Sequence, residues 1–239
     1  MSRSSNIKNL FIVLIKLIKY NLKIIFANRF IYFLLVAVAF FILVTIINLF
    51  SGEIPGEDTV YSLLFFPGIL LVFYPTTYGI QNDQDSGMLE IIFGIPNYRY
   101  KVWLVRLVQI YLVVFILLLI LSALSSISII RIHIFDMVVQ LMFPIFLIGS
   151  LGFMFSTIVK NGNGAAVTLV IILIILFIIA DPLSETKWNI FLNPFDIPEN
   201  VNETIWRMTS FYNRVIIIII AVIANLYGLF NLQKREKFI

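Results

Sequence analysis

The chain has 239 residues, of which 61% are hydrophobic and 13% charged, and its mean hydropathy is +1.02. Soluble domains hold about 45–50% apolar and about 25% charged residues, so this composition excludes the soluble enzyme folds and places the chain in a bilayer. The net charge is +4, there are no cysteines, and His133 is the one histidine. Disulfides, iron–sulfur clusters and thiolate zinc sites are thereby excluded, and a histidine-built metal centre is not expected.

The first element in chain order is the basic segment 6–28, NIKNLFIVLIKLIKYNLKIIFAN. Lys16, Lys19 and Lys23 stand at i, i+3 and i+7 and share one helical face, with Leu14, Ile18 and Ile25 pointing largely elsewhere. A basic stripe beside apolar residues predicts an amphipathic helix lying in the membrane interface; the plainer alternative is a topogenic flank of the first span. Lysines interrupt the apolar run and no small-residue cleavage site follows, so the segment does not read as a signal peptide.

A helix needs about 20 apolar residues to cross the hydrocarbon. Six stretches qualify, at roughly 30–50, 59–80, 102–130, 135–159, 164–180 and 214–232. The fold class is therefore all-α integral membrane, one transmembrane domain over 1–239. Alternating the spans puts the N-terminus, the 81–101 connector, the 160–163 turn and the C-terminus on one side, with 13 basic residues and 4 acids. The opposite side has 4 basic residues and 9 acids. The positive-inside rule makes the first side cytoplasmic, so both termini are expected there, in an inner (cytoplasmic) membrane. The basic excess is thus a topology signal, and no nucleic-acid partner is expected.

Ionisable residues inside spans mark relays and ion pathways, and these spans hold few. Arg106, near the cytoplasmic end of the third, is expected to snorkel outward. Arg131, Asp136, Asp181 and Arg214 fall at the outer boundary, and no carboxylate is placed at the midplane where an ion-coupled carrier would need one. Pro67, Pro75 and Pro144 are candidate helix breaks. Ser122, Ser125 and Ser126 share a face of the third span; they either line a pathway or let helices pack closely. Gly149, Ser150, Gly152 and Ser156 pose the same choice in the fourth span, and Gly162 and Gly164 are assigned to the turn after it. None of the glycines is followed by lysine, so no phosphate-binding loop is expected, nor a cofactor in this chain; any ATPase would be a separate polypeptide. No nucleophile–base pair, carboxylate dyad or metal spacing suggests a membrane enzyme.

The connector 81–101, QNDQDSGMLEIIFGIPNYRYK, carries the most information. Asp83, Asp85 and Ser86 suit the N-terminus of a short helix starting near Gly87. Met88, Leu89, Ile91, Ile92 and Phe93 give it an apolar surface, Pro96 and Asn97 stop it, and Arg99, Lys101 and Arg106 lead into the next span. The residues alone allow either a docking helix for a partner groove or a solvated connector. The stretch DQDSGMLEIIFGIPNYRYKVWLVRL resembles the region between the second and third spans of type-2 ABC exporter permeases. The matching positions are Asp83, Asp85, Gly87, Leu89, Glu90, Ile91, Ile92, Pro96 and Arg99; Asn82 to Gln84 stand where that family often has Glu or Arg. The resemblance implies that the connector is a coupling helix, with Met88 on it, inserting into a cytoplasmic ATPase subunit. It further implies a second permease copy or a related permease, ATP and magnesium bound by the partner, and export across the lipid membrane.

Residues 181–213 form a long outer segment rich in aromatics, among them Trp188, Phe191, Phe195, Trp206, Phe211 and Tyr212. Aromatics favour the membrane–water interface. The resemblance implies short re-entrant or extracytoplasmic helices there, one capped at Asn202 or Glu199; the alternative is an ordered amphipathic surface loop. The Asn202–Thr204 sequon is read as chance, His133 as a solvated turn residue, and the flanking Arg131 and Asp136 as a weak pair. The function expected is that of an ATP-driven exporter permease for a hydrophobic or amphipathic substrate. The rivals are a haem-exporter-like permease of cytochrome assembly and a non-transporting membrane scaffold or immunity protein.

Overall fold

The computed structural model describes residues 30–50, 55–94, 97, 99–159 and 161–232, without the side chains of 30, 49 and 99–101. The interfacial segment with Lys16, Lys19 and Lys23, Pro96, the Arg99 side chain and the basic C-terminal tail lie outside the described residues. Among those described, the helices are α1 (Phe30–Phe50), α2 (Glu57–Asp85), the short α3 (Met88–Gly94), a π-helical turn (Arg99–Leu104), α4 (Val105–Ser128), α5 (Ile134–Val159), α6 (Gly162–Ala180) and α7 (Glu203–Asn231). Six of them, all but α3, are long and apolar enough to cross a membrane. Helices satisfy every backbone group internally, which the hydrocarbon demands.

The centre is the α2–α5 pair, brought together by missing side chains. A Cβ on Gly149 would lie 2.6 Å from Val72 Cγ2, and one on Gly152 would lie 2.7 Å from Thr76 Oγ1. Small residues allow such close approach, and dispersion then does what the hydrophobic effect cannot do in lipid. α4 joins through Ile110, Val114 and Leu118. α7 lies along α5, where Gly228 admits the Phe153 ring and Ile217 and Ala221 meet Leu147. α1 and α6 are peripheral: only 17% of their apolar windows is buried, against 67% for α2. Their outer faces, such as Leu35, Leu43, Ile171 and Ile178, are exposed and suit lipid.

Several expectations are corrected. The prolines do not break their helices: α2 runs through Pro67 and Pro75, and α5 through Pro144. α2 extends past the expected 59–80 limit to Asp85, so Asp83 and Asp85 belong to its last turn and do not open the next helix. Gly162 and Gly164 are the first turn of α6, capped by the Asn161 side chain, which accepts from the Asn163 and Gly164 amides. α7 starts at Glu203, eleven residues before the expected boundary at 214. Its cap is Asn202, whose Oδ1 accepts from Thr204 N at 2.9 Å. Residues 181–202 form successive turns, with no separate re-entrant helix. They are anchored: Phe191 meets Phe65 and Phe177 edge-on, and Trp206 Nε1 donates to Pro194 O at 3.1 Å. Arg131 and Asp136 form no ion pair among the described residues.

Candidate functional site

α3 sits where the chain turns back between α2 and α4. The turn is made by Gly87 at φ +68°, in the left-handed region that a Cβ disfavours. α3 then presents two faces. Leu89, Ile92 and Phe93, at i, i+3 and i+4, are buried. They pack with Ile80 of α2, Trp103, Leu107 of α4, Phe153 of α5 and Leu229 of α7. One buried cluster thus joins this seven-residue helix to residues of four spans. The opposite face is open: Ile91 is 63% exposed, and Glu90 and Gly94 are exposed beside it. Asp85, Ser86 and Gly87 continue this outer surface.

The apolar residues expected to form one docking ridge are thus divided. Met88 is half-buried, Leu89 and Ile92 belong to the protein's own core, and Ile91 alone of the aliphatic set points fully outward. The periodicity itself held this signal. A helix of that length with three inward residues at i, i+3 and i+4 is seated on something, and the seat is the end of its own bundle.

Beneath the seat lies a buried ion pair. Arg106 Nη1 donates to Asp83 Oδ2 at 2.6 Å, and Nη2 donates to Oδ1 at 3.3 Å. The two side chains are 9% and 4% exposed. The guanidinium also stacks over the Trp103 ring at 4.7 Å. Arg106 therefore does not snorkel, and Asp83 does not cap α3; Ser86 Oγ donates back to Asp83 O at 3.2 Å. The bidentate pair clamps the end of α2 to the start of α4 on either side of α3, a geometry guanidinium and carboxylate favour.

The same bundle end ties in α6. Tyr78 Oη donates to Asn163 Oδ1 at 3.0 Å, and the Gly162 amide donates to Gln81 Oε1. Asn231 Nδ2 donates to Thr157 O at 2.6 Å and fixes α7 to α5.

Ser122 and Ser125 are fully buried in α4. Ser125 Oγ donates to Leu121 O at 3.1 Å, and Ser126 Oγ accepts from Ile132 N at 3.4 Å across the α4–α5 turn. These contacts belong to packing and turn closure. A polar cluster that sequence reasoning did not single out links three spans. Asn225 Nδ2 of α7 donates to Ser150 Oγ of α5 at 2.8 Å, and Tyr111 Oη of α4 lies 3.3 Å from the same oxygen. Among the described residues, no group of three metal-ligating side chains is present.

No family model, curated protein or solved structure matches the chain. Leu89, Ile92 and Phe93 tie the open face at Glu90 and Ile91 to the buried cluster, and the Asp83–Arg106 clamp holds α2 and α4 together beside it.

Proposed function

We propose that this chain is the membrane-spanning subunit of an ATP-driven exporter of the type-2 ABC class, paired with a second copy or a related permease. Its α3 end is cytoplasmic and docks on a separate ATPase subunit that binds ATP and magnesium. The observation that carries this reading is the division of α3, with Glu90 and Ile91 outward and Leu89, Ile92 and Phe93 in a buried cluster that includes residues of four spans. A partner groove would take the outer face, and the seat would pass the movement to the bundle. The basic excess expected at this end supports the cytoplasmic assignment. The cargo is proposed to be hydrophobic or amphipathic, in keeping with spans that carry few charges.

Affinity purification from the native membrane tests this. The wild-type chain should bring down a Walker-type ATPase in stoichiometric amount, with ATP hydrolysis. Glu90→Arg or Ile91→Asp should release it while the bundle keeps its melting temperature. Recovery of the chain alone would contradict the exporter and favour a scaffold or immunity role.

A further inference from the structure

At the end of the bundle opposite α3, a cleft of about 700 Å³ lies between α7, α5 and the 181–202 segment. Its apolar wall includes Phe143, Phe195, Trp206, Phe211, Val215 and Ile218. Arg214 also lines it, and is only 5% exposed. The guanidinium is held entirely by neutral acceptors. Nε donates to Gln140 Oε1 at 3.0 Å, Nη1 to Asn213 Oδ1 at 2.9 Å, and Nη2 to Leu192 O at 3.2 Å and Tyr61 Oη at 3.4 Å.

No carboxylate among the described residues lies within ion-pair distance of Arg214. The contrast with Arg106 is direct: one buried arginine has its aspartate, and the other has none. Three acids do line the cleft. Glu203 is tied to Arg207 at 2.7 Å in an exposed pair, Asp136 is exposed, and Glu57 is half-buried. They leave the deep charge unmatched and keep the mouth polar. Burying an unmatched cation is unfavourable, and an ionisable group at such a site is a functional candidate by default.

We propose that this cleft binds the anionic head of an amphipathic molecule, with the head at Arg214 and the chain along Phe143, Phe211, Val215 and Ile218. Of the two arginines lining the cleft, Arg207 is neutralised by Glu203 and Arg214 is left as the buried, unmatched cation; with the apolar wall beside it, this suits that chemistry and no neutral lipid. Arg214 also holds Leu192 O and donates to Asn213, whose Nδ2 donates to Lys187 O and Asn189 O, so removing it would confound binding with folding. Gln140→Glu avoids this: it keeps the acceptor for Nε and supplies the missing charge from within.

The probe is dibrominated stearate, whose bromines quench tryptophan. It is titrated into the detergent-solubilised full chain carrying Trp188→Phe. Trp206 then reports the cleft, and Trp103 at the far end serves as the reference. The brominated alcohol of the same chain is the neutral control, and acetate is the free-anion arm. Stearate should quench Trp206 saturably and bind at least about tenfold tighter than the alcohol, as a charge-assisted contact requires. Gln140→Glu should remove that advantage without lowering the melting temperature. Equal quenching by acid and alcohol, or undiminished binding in Gln140→Glu, would overturn the site. Displacement of stearate by acetate at matched concentration would overturn the amphiphile as ligand.

Discussion

Arg106 Nη1 lies 2.6 Å from Asp83 Oδ2, in a buried two-pronged pair that joins α2 to α4 across the α3 connector. Breaking a buried pair from one side strands the other charge, at a cost of about 3–5 kcal/mol. Asp83→Asn or Arg106→Gln should therefore lower the melting temperature in detergent sharply. The double variant Asp83→Leu with Arg106→Leu should regain most of the loss, because no buried charge is left behind. Single variants that melt with the wild type would mean the pair is hydrated in solution.

Gly87 has φ +68° and nothing within 4 Å of where a Cβ would go. Gly87→Ala is thus a purely conformational change, costing about 1–2 kcal/mol. Gly94 is equally open but has no such backbone demand, so Gly94→Ala should be neutral. Thermal unfolding of the two variants side by side checks this.

Gly149 is the opposite case, with space as the constraint. A Cβ there would stand 2.6 Å from Val72 Cγ2 and 2.9 Å from Tyr111 Oη. Gly149→Ala should cost about 1–3 kcal/mol by overpacking. Val72→Ala in the same chain should restore part of it, a coupling that a double-mutant cycle would detect.

The two faces of α3 should respond differently to charge. Leu89 is 3% exposed and Ile91 is 63% exposed. Leu89→Asp buries a carboxylate with no partner and should destabilise the bundle or abolish expression. Ile91→Asp should leave the unfolding free energy within about 0.5 kcal/mol of the wild type, as exposed substitutions do.

The chain has no cysteines, so single-cysteine variants report topology without background. Glu90→Cys at the α3 end and Trp188→Cys at the other, both exposed, should label from opposite sides of sealed vesicles. Glu90→Cys should react only from the cytoplasmic side. Labelling of both positions from one side would overturn the six-span topology.

The spans were legible because length and hydropathy suffice to mark them. Which faces are buried was not: α1 and α6 are apolar all round, and lipid erases the inside–outside contrast that a soluble helix shows. The Asp83–Arg106 pair was missed because its members are 23 residues apart, and an arginine near a span end reads naturally as solvated. The clue was available: the two stand at the adjoining ends of consecutive antiparallel spans. α7 was placed too short because Glu203–Asn213 is polar, and hydropathy does not register it. The Asn202 cap and the Glu203–Arg207 pair at i, i+4 signal the earlier start. The Arg214 network was invisible because three of its four acceptors come from α2, α5 and the 181–202 turns, which only the fold brings together.

The central claim is that the outer face of α3 meets an ATPase. A photo-crosslinking phenylalanine analogue placed at Ile91 tests it most directly, with Ile127 as the control: it is 85% exposed and ends α4 at the opposite end of the bundle. Irradiation of native membranes should join Ile91 to a Walker-type ATPase and give no such adduct from Ile127. No ATPase adduct at Ile91, or equal adducts at both positions, would contradict the account.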